Sequence, residues 1–173
     1  MLRRLKNDKR GVAAVEFALI APIMILLYMG IAEVTLAMMA NRRAGHTAAV
    51  VGDLVAQSSQ MNATQMDDIF EVGEAVMKPF PATTLKMRIT SVKADAQGAP
   101  KVVWSRGSGM SGLSDGANAT VPAGLLSAGE SVVMAEVSYT WTSPLGQTIS
   151  QAMSFNQTFF LRPRKAVEVA WVS

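Results

Sequence analysis

A chain of 173 residues, half of them hydrophobic and with a mean hydropathy of +0.24, has the material for one modest domain plus an appendage. Its formal net charge of +3 is misleading: residues 1–11 hold five basic side chains and one acid, so everything after Gly11 sums to −1, and the case for nucleic-acid binding falls away. Cysteine is absent, which excludes disulfides and thiolate chemistry.

The chain opens on a basic leader, Arg3, Arg4, Lys6, Lys9 and Arg10 around a single Asp8. Gly11 follows, then Val12-Ala-Ala-Val15, a lone Glu16, and the apolar run from Phe17 to Ala32. A membrane span needs about 20 residues at 1.5 Å each, so the run needs an extension, which Val12–Val15 or Val34–Ala40 provides. The leader's basic residues outnumber Arg42 and Arg43 beyond the run. By the positive-inside bias, the N-terminus is expected in the cytoplasm and the bulk of the chain on the far side, in a periplasm-like space. Pro22 removes a backbone hydrogen bond within the helix and predicts a kink, and Glu33 is expected to mark the outer membrane boundary.

Helical periodicity continues past the span, because Ala44, Ala48, Val51 and Val55 fall on one stripe; a single helix from about Val12 to Ser58 is expected. After Ser58–Thr64, the spacing Thr64-x-x-Asp67 predicts a second helix start. Met66, Ile69, Phe70, Val76, Met77 and Phe80 should face inward, and Pro79 and Pro81 should stop the helix. Asp67, Asp68, Glu71 and Glu74 form its wet face. They lack calcium-loop spacing and read as ordinary helix acids rather than a metal site. Alternation over Thr84–Ala94, a turn at Asp95–Pro100 and a return over Lys101–Arg106 predict a hairpin. A Gly/Ser-rich stretch runs from Gly107 to Gly129. Strands are then expected at Ser131–Trp141 and Ser154–Leu161, with a turn at Ser143–Gly146 between them. The fold class is therefore α+β: helices on an antiparallel sheet of three to five strands. The expected divisions are a leader over 1–11, a transmembrane helix over 12–40 and a periplasmic domain over 41–173, helical over 41–80 and β-rich over 84–165.

Chemical constellations are missing. His46, the only histidine, lies on the helix beyond Arg42 and Arg43 and reads as a surface residue. No Gly-x-Ser-x-Gly elbow occurs, and Gly107-x-Gly109 has neither Walker lysine nor βαβ context. The twelve methionines are spread along the chain and form no copper cluster. The expectation is a non-enzyme without cofactor, metal or small-molecule substrate.

Function therefore turns on Glu16. A carboxylate inside a span costs roughly 2.5–3.5 kcal/mol at the helix centre and less near the ends, so a use for it is expected. In a bundle of parallel helices, a positive group is a suitable partner, such as the free amine that a cut after Gly11 would create at Val12, and such a pair fixes axial register; solvation at headgroup depth is the alternative. Three fates fit the segment: a secretory signal cut near Thr35-Leu36-Ala37, an uncleaved anchor, or a leader cut on the cytoplasmic side after Gly11.

The block Arg10-Gly-Val-Ala-Ala-Val-Glu-Phe-Ala-Leu-Ile-Ala-Pro22 resembles the start of TadE-like and TadG-like proteins of tight-adherence (Tad, or Flp) pilus systems. Asp53–Gln57, Ala135–Tyr139 with Pro144, and Arg162-Pro-Arg164 are similar to later parts of the TadE-like pattern, and the short length favours TadE-like over TadG-like. Type IV prepilins have a basic leader ending in glycine and a glutamate as fifth mature residue. Gly11, Val12 and Glu16 match those positions, although Val12 stands where the major pilins frequently have phenylalanine. The resemblance implies a minor pilin or pseudopilin cut after Gly11 by a membrane prepilin peptidase. Glu16, Phe17 and Pro22 would then lie in its assembly helix, and its partners would be the inner membrane, other pilins and pilus platform proteins. Adherence and biofilm formation would be the process served. A permanently anchored periplasmic scaffold, neither processed nor incorporated in a filament, is the other expectation.

Overall fold

The structure is a computed structural model and describes residues 11–146 and 149–172. The leader cations Arg3, Arg4, Lys6, Lys9 and Arg10 lie outside the described residues. Two compact units divide the chain. One comprises residues up to Ala37 with Thr142–Ala152, the other Met38–Trp141 with the segment from Met153 onward.

Helix α1 runs from Val12 to Ala56 and passes through Pro22. Pro22 lacks the N–H that would bond one turn back. In the first unit, large apolar side chains cover the helix on every side. Thr35 satisfies its hydroxyl by donating to the Ile31 carbonyl (2.8 Å), a helix-internal bond.

In the second unit α1 changes character. Ala40, Ala44, Ala48, Val51 and Val55 recur at three- and four-residue spacing and are fully buried, as the sequence stripe predicts. Small residues bring this stretch close to the sheet. A Cβ added at Gly52 would stand 2.6 Å from Leu161 Cδ1 and 2.9 Å from Ala135 Cβ. The helix ends where Gln57 and Ser58 N–H fold back on the Asp53 and Val55 carbonyls (both 3.0 Å), and Arg164 N–H takes up the Ala56 carbonyl (2.8 Å).

Strand β1 (Gln60–Met61) leads into α2 (Ala63–Met77). The cap differs from the expected Thr64/Asp67 pair. Asn62 Oδ1 accepts from Gln65 N–H (2.9 Å) while Gln65 Oε1 accepts from Asn62 N–H (3.2 Å), a complete capping box two residues earlier. Asparagine is the stronger cap, and glutamine in the third helical position closes the box as well as a carboxylate does. Met66, Phe70, Gly73 and Met77 are buried, whereas Ile69, Val76 and Phe80 are half-buried and the four acids are exposed.

The sheet comprises β2 (Leu85–Ala94), β3 (Pro100–Ser108), β4 (Ser131–Trp141) and β5 (Met153–Leu161), all antiparallel in the order β3-β2-β4-β5. Ile89 pairs with Ala135 and Ala135 with Phe159; the β2–β3 register shifts between Ser91 and Val92, where Val103 is passed over. One face takes α1: Gln157 Nε2 donates to Asn41 Oδ1 at 2.7 Å. The other face carries a second core of Val92, Val102, Ala119, Val132 and Met134, against which Leu113, Val121, Leu125 and Leu126 pack. The Gly/Ser-rich stretch is therefore a cover for the sheet, and its apolar island at Leu125-Leu126 is what seats it.

The C-terminal tail closes the unit. Strand β6 (Ala170–Trp171) pairs in parallel with β1, Gln60 with Ala170 and Met61 with Trp171. Trp104 Nε1 donates to the Val169 carbonyl at 2.7 Å, Trp171 lies 5.3 Å from the Trp104 ring, and Arg106 stacks 4.1 Å over Trp171.

Candidate functional segment

The residues singled out by sequence lie together at the start of α1. Val12 and Glu16 are one turn apart and share a helix face, and Phe17 follows at 72% exposure. Gly11 has open space around it: an added Cβ would meet nothing within 4 Å. Gly11 and Val12 are both exposed. Glu16 makes no hydrogen bond or ion pair among the described residues. Pro22 is exposed on the same helix.

The apolar character of this stretch is unrelieved. Its best 18-residue window has a mean hydropathy of 2.3, and none of that window is buried within the chain. Each large aliphatic side chain taken out of water contributes about 1.5–3 kcal/mol, so the eleven that stand exposed between Val12 and Val34, together with Phe17 and Tyr28, favour an apolar environment outside the chain. Helix length and composition suffice to cross a membrane.

One feature of this unit has no local signal in the sequence. Glu33 is fully buried and accepts the Ile149 N–H at 2.6 Å. The contact spans 116 residues of sequence and makes Glu33 an acceptor for the backbone of the 142–152 segment. Earlier in the same segment, the Ser143 hydroxyl accepts from Leu145 and Gly146 N–H (3.2 and 3.1 Å). Serine before proline and glycine favours a turn there.

Elsewhere polar side chains staple strands rather than gather into a reactive group. Arg88 on β2 meets its register partner Glu136 on β4 through two bonds, 2.7 and 2.8 Å. The hydrogen bonds to that carboxylate push the Arg88 guanidinium further up than usual, against the effect of partial burial. Glu130 accepts from Ser127 N–H and pairs with Arg162. The backbone N–H first, and Arg162 with it, hold its carboxyl below the usual range. Among the described residues no three His, Cys, Asp or Glu side chains are placed to hold a metal ion.

Residues 11–52 match the family model of TadE-like proteins. The match takes in Gly11, Val12, Glu16, Phe17 and Pro22 and stops before the Asp53–Gln57 stretch. No curated protein and no solved structure matches the chain.

Proposed function

We propose, starting from the premise that this chain has a TadE-like N-terminal segment and is associated with a Tad pilus, that it is a minor pilin or pseudopilin of the pilus assembly machine. It inserts by the first part of α1 with its N-terminus in the cytoplasm and its C-terminal domain in the periplasm, and it works without catalysing a reaction. A membrane prepilin peptidase cuts it after Gly11, and the new Val12 amine faces a Glu16 carboxylate in the parallel helix bundle it joins. Its other partners are pilins and platform proteins, and surface adherence is the process served.

The observation that carries this reading is the coincidence, within one matched segment, of an exposed Gly11–Val12 pair, a Glu16 without a partner among the described residues and an apolar helix that the described residues leave uncovered. A soluble domain does not leave such a helix uncovered. Mass spectrometry of the membrane-extracted protein tests it: in cells possessing the peptidase the chain should begin at Val12. An intact Met1 in those cells would sink the processing claim and leave the permanently anchored scaffold.

A further inference from the structure

Between Glu33 and Asp53, α1 carries no acidic residue, yet Arg42, Arg43 and His46 stand there together. At about 100° per residue, Met38, Arg42, His46, Met39 and Arg43 fall within one arc of roughly 140°. Ala40, Ala44, Thr47 and Ala48 occupy the opposite side and are buried, while the five residues of the arc are all exposed. The arc is thus fixed outward by the packing of the helix on its own sheet.

The two arginines differ from the other described ones. Arg88 pairs with Glu136, Arg162 with Glu130 and Arg164 with Asp53, and Arg106 stacks on Trp171. Arg42 has no hydrogen bond, ion pair or ring partner among the described residues, and Arg43 has a single long bond to the Val76 carbonyl (3.4 Å). Two guanidinium groups without a counter-ion, set beside exposed Met38 and Met39 (55% and 46%), present a cationic edge next to an apolar one. The planar fork of arginine matches phosphate oxygens, and its stem lies along apolar surface while its head stays in the polar layer.

We propose that this arc is a binding surface for the phosphate groups of anionic phospholipids, with Met38 and Met39 at the acyl boundary and Arg42 and Arg43 on the headgroups. It rests on the membrane insertion proposed above. Charge complementarity selects the occupant: the arc offers cations and methyl groups and no acid, which suits an anionic lipid better than a zwitterionic one.

The test uses the full chain reconstituted in vesicles of phosphatidylcholine with or without phosphatidylglycerol, with bound lipid read by native mass spectrometry. Wild type should retain phosphatidylglycerol in preference to phosphatidylcholine. R42Q/R43Q should lose that preference by about fivefold for each charge removed, R42K/R43K should keep part of it, and added salt should erode it. Inorganic phosphate should not displace the lipid, because it has no acyl chain for Met38 and Met39. Equal enrichment in wild type and R42Q/R43Q, at equal thermal unfolding temperatures, overturns the inference and leaves insertion standing. A chain that fails to enter either vesicle overturns insertion, and this inference with it.

Discussion

Two stretches of one helix have opposite side-chain economies. From Val12 to Leu36, α1 carries phenylalanine, leucine, isoleucine and methionine on every side and leaves most of them exposed; from Ala40 to Ala56 it narrows to a buried stripe of alanine and valine. Both are helix-favouring and both are apolar, so propensity does not separate them. Size and distribution do. Large residues all round suit a surrounding apolar medium or a ring of neighbouring helices, whereas small residues on one stripe suit a single rigid surface that the backbone must approach closely. Helical continuity therefore says little about role.

Substitutions that exchange these characters test the comparison, and the largest effect is expected at the start of α1. Gly11→Val should abolish cleavage, seen as an uncut mass in cells with the peptidase, and Glu16→Ala should abolish filament incorporation scored by pilus shearing. Neither should alter the unfolding of the second unit. Gly52→Leu should do the reverse. It should cost about 3 kcal/mol in denaturant unfolding of the detergent-solubilised chain, because Ala135 cannot retreat, while cleavage after Gly11 persists. Trp104→Phe removes one buried hydrogen bond to Val169 and should cost about 1–2 kcal/mol by the same measurement. Glu136→Gln should cost less than about 1 kcal/mol, since Arg88 and Glu136 are each more than a fifth exposed.

The smallest effect concerns acid. The folded state holds Glu130 below its ordinary carboxylate value of 4.5. Its contribution is therefore complete above that value and lost as pH falls through the lower folded one. Wild type should accordingly lose slightly more stability than Glu130→Gln on acidification through that window, and equal losses would remove Glu130 from the account.

Much of this architecture is legible in the residues because it is periodic. The apolar run from Val132, alternating from Ala135 to Trp141, marks β4, and the stripe Ala44, Ala48, Val51, Val55 marks the packed face of α1. Glu16 stands out because a charge breaks an apolar pattern, whereas Gly11 and Val12 stand out through the family resemblance, and the cut between them is a proposal. What escapes has no period. Two residues are too few to alternate, so β1 and β6 leave no trace, and neither does their parallel pairing. The Glu33–Ile149 bond joins a carboxylate to a backbone N–H, a donor that almost every residue offers. Asn62 and Thr64 are both plausible caps, and only Gln65 at the right spacing from Asn62 decides between them.

The tail gives the molecule an optical property of its own. Trp104 and Trp171 are close enough, at 5.3 Å and tilted by 48°, for their indole transitions to couple, and Arg106 lies over one of the two rings. Trp141, the third tryptophan, is buried at the far end of β4. Peeling β6 from β1 would separate the coupled pair and leave Trp141 dark to the event. The near-ultraviolet dichroism and emission of the unlabelled chain thus report whether strand β6 is docked, and a Trp171→Phe variant identifies the part of the dichroism that comes from the pair.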